Sequence, residues 1–166
     1  MSRSLFVGCL VLVNVLAAFA SANTNSVNVF VTVTPNCTIS AGPLAFGTYD
    51  PTVVNASTAL NGTATMSVAC TTAAPATILL GQGANATTSS TDSSPLRRLN
   101  NGSNFLSYNV YQDSSRSTTW GNTSGTGLTY TGTGSSTSLT AYAAVAGGQN
   151  VPTGSYSDTV VVTVTF

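Results

Sequence analysis

Asp50, Asp92, Asp113 and Asp158 are the only carboxylate side chains in this 166-residue sequence, and it contains no histidine, lysine or glutamate. A Ser-His-Asp or Cys-His nucleophilic site needs an imidazole base, so that chemistry is excluded. A phosphate-gripping P-loop needs its lysine, and Gly125-Thr-Gly127 and Gly132-Thr-Gly134 lack a third, correctly spaced glycine. Both read as turns. Asp92-Ser-Ser and Asp113-Ser-Ser lack the glycine of an aspartic-protease signature, and a glycosidase pair is defined by a carboxyl separation that a sequence does not carry. The aspartates also lack the spacing of an EF-type calcium loop. Asp50 and Asp158 read as a turn residue and a strand-start residue. Arg97 and Arg98 are adjacent, so in a strand they face opposite ways and make a poor clamp; they read as solvated loop residues. Trp120 reads as core rather than as a sugar-stacking platform. The expectation is a chain with no catalytic, cofactor-binding or metal-binding set, and hence not an enzyme.

Cysteine chemistry is the exception. Residues 1–22 have the form of a secretory signal: Arg3 gives a positive start, Leu5 to Phe19 an apolar run too short to span a bilayer, and Ala20-Ser21-Ala22 a small-residue cleavage site. Cys9 would leave with it. Cys37 and Cys70 remain, an even number in an exported chain, and a disulfide between them is expected. Closing that loop would contribute roughly 3 to 4 kcal/mol through chain entropy. Without histidine the pair makes a poor zinc site, and the C-x-x-C spacing of a redox centre is absent.

The elements that must hold these groups are strands. Ser26 to Pro35 places Val27, Val29, Val31 and Val33 at a strict period of two, all on one face of an extended segment. Further strands are expected at 37–40, 44–49, 63–69, 77–80, 105–111, 128–130, 138–145 and 155–166. In the last of these Val160, Val162, Val164 and Phe166 share a face. No segment has a helical period, so an all-β sandwich is expected. Its two strongest strands stand at its two ends. Either they pair within one molecule, or each waits for a partner.

Charged residues are 5% of the chain and hydrophobic ones 42%. Disorder needs the reverse balance. A net charge of zero gives no footprint for nucleic acid and lowers the barrier to self-association.

Particular stretches go further. Val31-Thr32-Val33 leading to Asn36-Cys37-Thr38, Leu44-Ala45-Phe46-Gly47-Thr48-Tyr49-Asp50-Pro51, Val68-Ala69-Cys70-Thr71, Arg97-Arg98-Leu99, Phe105 to Tyr111, Trp120-Gly121 and Gly148 to Val160 together resemble the spore coat protein U domain, the subunit fold of archaic chaperone-usher pili. The resemblance covers nearly all of the chain after residue 22. It implies an incomplete immunoglobulin-like pilin sandwich, residues 36–166, that lacks its last strand and is completed by donor-strand complementation. Residues 23–35 would be the donor, with Val27, Val29, Val31 and Val33 as its knobs. Val160, Val162, Val164 and Phe166 would wall the acceptor groove. Implied partners are identical or homologous pilin subunits, a periplasmic chaperone and an outer-membrane usher; the implied location is a cell-surface fibre reached through the periplasm. A spore-coat or surface-layer protein and a carbohydrate-binding tip adhesin are the alternatives.

Overall fold

The computed structural model describes residues 20–166, and the expected leader falls largely outside them. The described residues contain eight strands: β1 Cys37–Ala41, β2 Leu60–Cys70, β3 Pro75–Leu80, β4 Arg97–Asn101, β5 Asn104–Tyr111, β6 Leu128–Thr131, β7 Ser136–Val145 and β8 Val162–Thr165. They form a five-stranded sheet of order β1-β2-β7-β5-β4 and a three-stranded sheet of order β6-β3-β8, with every pairing antiparallel.

Alternation explains how the layers close. Ala64, Met66 and Val68 of β2, Leu106, Tyr108 and Val110 of β5, and Ala141, Ala143 and Val145 of β7 are buried from one side, and Ala76, Ile78 and Leu80 of β3 meet them from the other. Trp120 lies fully within this core and donates its indole N–H to the Ile78 oxygen at 2.8 Å. Buried indoles need such a partner. The expected disulfide is present between Cys37 and Cys70, which stand directly opposite each other in the β1–β2 register. Gly132 is required by close approach: its N–H bonds the Ala74 oxygen, and a Cβ there would collide with the Thr71 oxygen.

Three expected strands differ. Segment 44–49 contributes only one bridge, Ala45 to Thr63, and Gly47 takes a left-handed φ of 83° that ends the run. The expected strand 155–166 is regular only over Val162–Thr165, because the chain changes sheets at Asp158. Ser157 exchanges main-chain hydrogen bonds with Asn100 of β4, whereas the Thr159 and Val161 oxygens accept from Ala84 and Gly81 after β3. Residues 26–35 carry no strand in the single chain. Taken by themselves, residues 20–32 are exposed throughout. β4 was not expected at all.

Candidate assembly groove

A sandwich of five strands against three leaves one side open. β1 pairs only with β2 and β8 only with β3, yet β1 and β8 lie against each other at the margins of their two sheets. Each therefore has an unpaired main-chain edge along the opening. A free edge of this kind is a template for another strand.

The opening continues inward as a groove whose first part is mainly apolar and whose second part is mixed. Its first part, about 350 Å³, lies between Pro43 and Leu44 on one bank and Val160 and Val162 on the other, with Met66 and Val110 of the core beneath. The second part, about 660 Å³, runs between segments 44–51 and 151–158, over Leu60 and Leu106. The two share Leu44, Phe46, Leu99 and Asp158. Val160, Val162 and Val164 are half-buried and packed on the core, as are Ile39 and Leu44 across from them. Phe166, by contrast, is 56% exposed. In the N-terminal segment Val27, Val29, Val31 and Val33 are 86, 87, 89 and 75% exposed. The N-terminal segment taken by itself thus carries a row of exposed valines, and the domain of residues 36–166 carries a groove with apolar side chains in its walls.

The Spore Coat Protein U domain matches residues 23–163. The chain belongs to the Spore Coat Protein U domain family. It is 46% identical over 158 residues to Protein U of Myxococcus xanthus, across 90% of this chain and 87% of that one. Among solved structures it is similar to the crystal structure of the CsuC–CsuE chaperone-tip adhesion subunit pre-assembly complex from the archaic chaperone-usher Csu pili of Acinetobacter baumannii, with a TM-score of 0.55 and 23% identity. That match covers 81% of this chain and 40% of the other, and it establishes the likeness of fold. The all-β sandwich expected of a Spore Coat Protein U domain is the fold observed.

The domain's charged residues are arranged differently from the sequence expectation. Arg97 is not solvated: it is 1% exposed, reaches across the β4 margin into the space between the sheets, and donates to the oxygens of Gly81, Leu80 and Trp120 and to Asn109 Oδ1. The alternation of adjacent residues still holds. Arg98 faces the other way, stacked on the Phe105 ring at 4.0 Å and bonded to the oxygens of Asn85 and Ala86. A buried cation is costly unless its donors are matched, and three carbonyl oxygens and Asn109 Oδ1 take four of the five N–H groups. Burial lowers the Arg97 pKa to about 10, against the supporting charge of Asp158 and the influence of Tyr108. No pattern in the sequence marks those carbonyls, because they are main-chain groups at the end of β3, just after it and in the β5–β6 connection.

Asp158 joins the groove to this interior. Its carboxylate accepts from the Tyr108 hydroxyl at 2.8 Å, the Asn85 N–H at 3.1 Å and Asn85 Nδ2 at 3.0 Å. Burial, and then the bond to Asp158, raise the Tyr108 pKa well above the usual phenol range. The other aspartates order turns. Asp50 accepts from the N–H groups of Thr52 and Val53, and Asp113 from those of Ser117 and Thr118 and from the Ser115 hydroxyl, with Ser115 the largest cause of its lowered pKa. Asp92 takes the amides of Gln82 and Asn122. Among the described residues no group of three or more His, Cys, Asp or Glu side chains could hold a metal.

Proposed function

We propose that this chain is a structural subunit of a surface fibre, exported behind a leader at residues 1–22, whose residues 23–35 insert as a strand into the β1–β8 groove of a neighbouring copy's 36–166 domain. What supports this reading is a row of exposed valines in the N-terminal segment together with, in the 36–166 domain, an apolar-walled groove beside which β1 and β8 each have only one strand partner. Burying four valines contributes on the order of 6 to 12 kcal/mol before the entropy of ordering the segment is subtracted. Donor and groove are different surfaces of one chain, so the contact propagates instead of closing. Val160 and Val162 line the groove that the donor meets, while Val164 packs on the core and Phe166 is exposed and outside the lining.

Until a neighbour arrives, an open groove of this size needs temporary cover. A periplasmic chaperone suits that role, in keeping with the chaperone complex to which the fold is similar. An outer-membrane usher would then exchange the chaperone for the next subunit. Such a fibre would serve attachment or biofilm growth. Deleting residues 23–34 tests the assignment: the chain should still be exported and soluble with its chaperone, yet form no fibres under the electron microscope. Fibres of normal length from that deletion would overturn it.

The 46% identity to Protein U and the family's own name favour a second reading, a coat component using the same strand exchange. Immunogold labelling separates the two: thin filaments standing off the envelope support a pilus, and a continuous layer on the spore or cell supports a coat.

A further inference from the structure

The outer face of the five-stranded sheet carries a feature that strand exchange does not use. Tyr142 of β7 stands directly opposite Tyr111 of β5, Thr63 of β2 stands opposite Tyr142 on its other side, and Thr119 is bridged to Tyr111. One transverse row thus reads Thr63, Tyr142, Tyr111, Thr119. The neighbouring strand positions alternate inward, since Ala141, Ala143 and Val110 are buried, so this row faces out. On one side the next row across β2, β7 and β5 is Asn61, Ala144 and Asn109.

The phenol hydroxyls set these two tyrosines apart. Of the six tyrosines in the chain, four are engaged: Tyr49 on the Ala146 oxygen, Tyr108 on Asp158, Tyr130 on Thr137 and Tyr156 on the Pro152 oxygen. Tyr111 and Tyr142 have no such partner among the described residues. Their rings are half-buried, and the Arg116 guanidinium lies over one side of the Tyr142 ring, 5.9 Å from its centroid. The Arg116 side chain is itself spent on the oxygens of Ala143 and Ser114, and Asp113 beside it is taken up by its own turn. The row presents two adjacent aromatic rings and a border of threonine hydroxyls, with the nearby Arg116 and Asp113 already engaged.

We infer that this row is a binding platform for a neutral, extended polysaccharide. The apolar C–H faces of hexose rings complement aromatic faces that offer area at little entropic cost. Sugar hydroxyls complement the free phenols and the flanking Thr63, Thr119 and Asn61. Adjacent strands stand about 4.8 Å apart, so the two rings address neighbouring parts of one chain rather than two separate ligands. An acidic polysaccharide would find no unengaged cation there.

The test uses the purified full chain in affinity gel electrophoresis against hydroxyethyl cellulose, with chitin pull-down as a second neutral probe and alginate as an acidic one. Retardation or capture by a neutral probe, absent with alginate, is expected. Tyr111→Ala and Tyr142→Ala should each weaken it about two- to tenfold, the range for loss of one aromatic contact. Tyr→Phe at the same positions should fall between, which separates stacking from hydroxyl contact and guards against a folding defect. Thr38→Ala, on the same face but at β1, should change nothing. No retention by either neutral probe, retention undiminished in the double alanine variant, or retention by alginate alone would overturn the inference. So would sedimentation showing that the tyrosines instead hold two copies together without retaining polysaccharide.

Discussion

Arg97 donates Nη2 to the Trp120 oxygen at 2.7 Å, while the Trp120 indole donates to the Ile78 oxygen at 2.8 Å, so the two side chains together stitch β4 to β3 through the interior. The guanidinium also holds the Leu80 and Gly81 oxygens. Arg97→Ala would strand these carbonyls, at about 1 to 3 kcal/mol for each buried group left unmade, and should lower stability by on the order of 3 to 5 kcal/mol. Arg97→Lys should recover only part of this, since a compact ammonium cannot span the same acceptors. Urea unfolding would show it as a lower midpoint at unchanged slope.

The groove wall gives a prediction that separates folding from assembly. Val162→Asp places a carboxylate on the half-buried face of β8, where an inserted strand would seal it from water. Chaperone-bound protein should accumulate normally while fibre length collapses. Val161→Asp, on the exposed outer face one residue away, should leave fibres unchanged. Equal behaviour of the two variants in electron micrographs would count against the groove.

Cys37 and Cys70 fasten the first residue of β1 to the last of β2. Replacing both with serine should cost roughly 3 to 4 kcal/mol by the chain-entropy model. Because β1 is a margin of the groove, the loss should also appear as faster amide exchange in β1 than in β7, measurable by hydrogen exchange mass spectrometry.

Alkaline unfolding isolates the Tyr108 contact. Above pH 10 the unfolded chain releases its phenol proton while the folded chain, with Tyr108 buried and bonded to Asp158, keeps it. The unfolded state then binds fewer protons, and stability falls as pH rises. Arg97 acts in the opposite sense: its folded pKa is near 10 against an ordinary 12.5, so over that window the unfolded state binds more protons and stability rises. Tyr108→Phe should remove the falling contribution alone. Urea midpoints at pH 9 and pH 11 should therefore drop less in the variant than in the parent chain.

Much of this was legible in the residues because period-two alternation is a local property. The buried faces of β2, β5 and β7, the disulfide pair and the core placement of Trp120 all follow from spacing and type. What escaped was set by partners distant in sequence. Arg97 lies inside because carbonyls of Leu80, Gly81 and Trp120 converge there, and main-chain oxygens leave no mark on a sequence. Residues 155–161 alternate like a strand, yet Ser157 bonds one sheet and Thr159 the other, a crossing that depends on where β4 and β3 end. Segment 44–49 alternates too, but its Leu44 and Phe46 line the groove beside a single bridge. The valine row at 27–33 fixed a face without fixing what covers it.

The engagement of the arginines has an outcome outside folding. With no lysine in the sequence, trypsin-like proteases can cut residues 20–166 only after Arg97, Arg98 and Arg116. All three side chains are held by main-chain oxygens, the first two in β4 and the third in the tight turn that follows Asp113. A protease must draw the arginine out and straighten several residues around it, so cleavage after Arg97 or Arg98 requires β4 to leave its sheet, and Arg116, in a turn with exposed neighbours, is the readiest of the three. The absence of lysine likewise leaves no side-chain amine for glycation or aldehyde cross-linking. The same scarcity of charge that lets copies approach one another leaves little for trypsin-like enzymes or amine-reactive chemistry to grip.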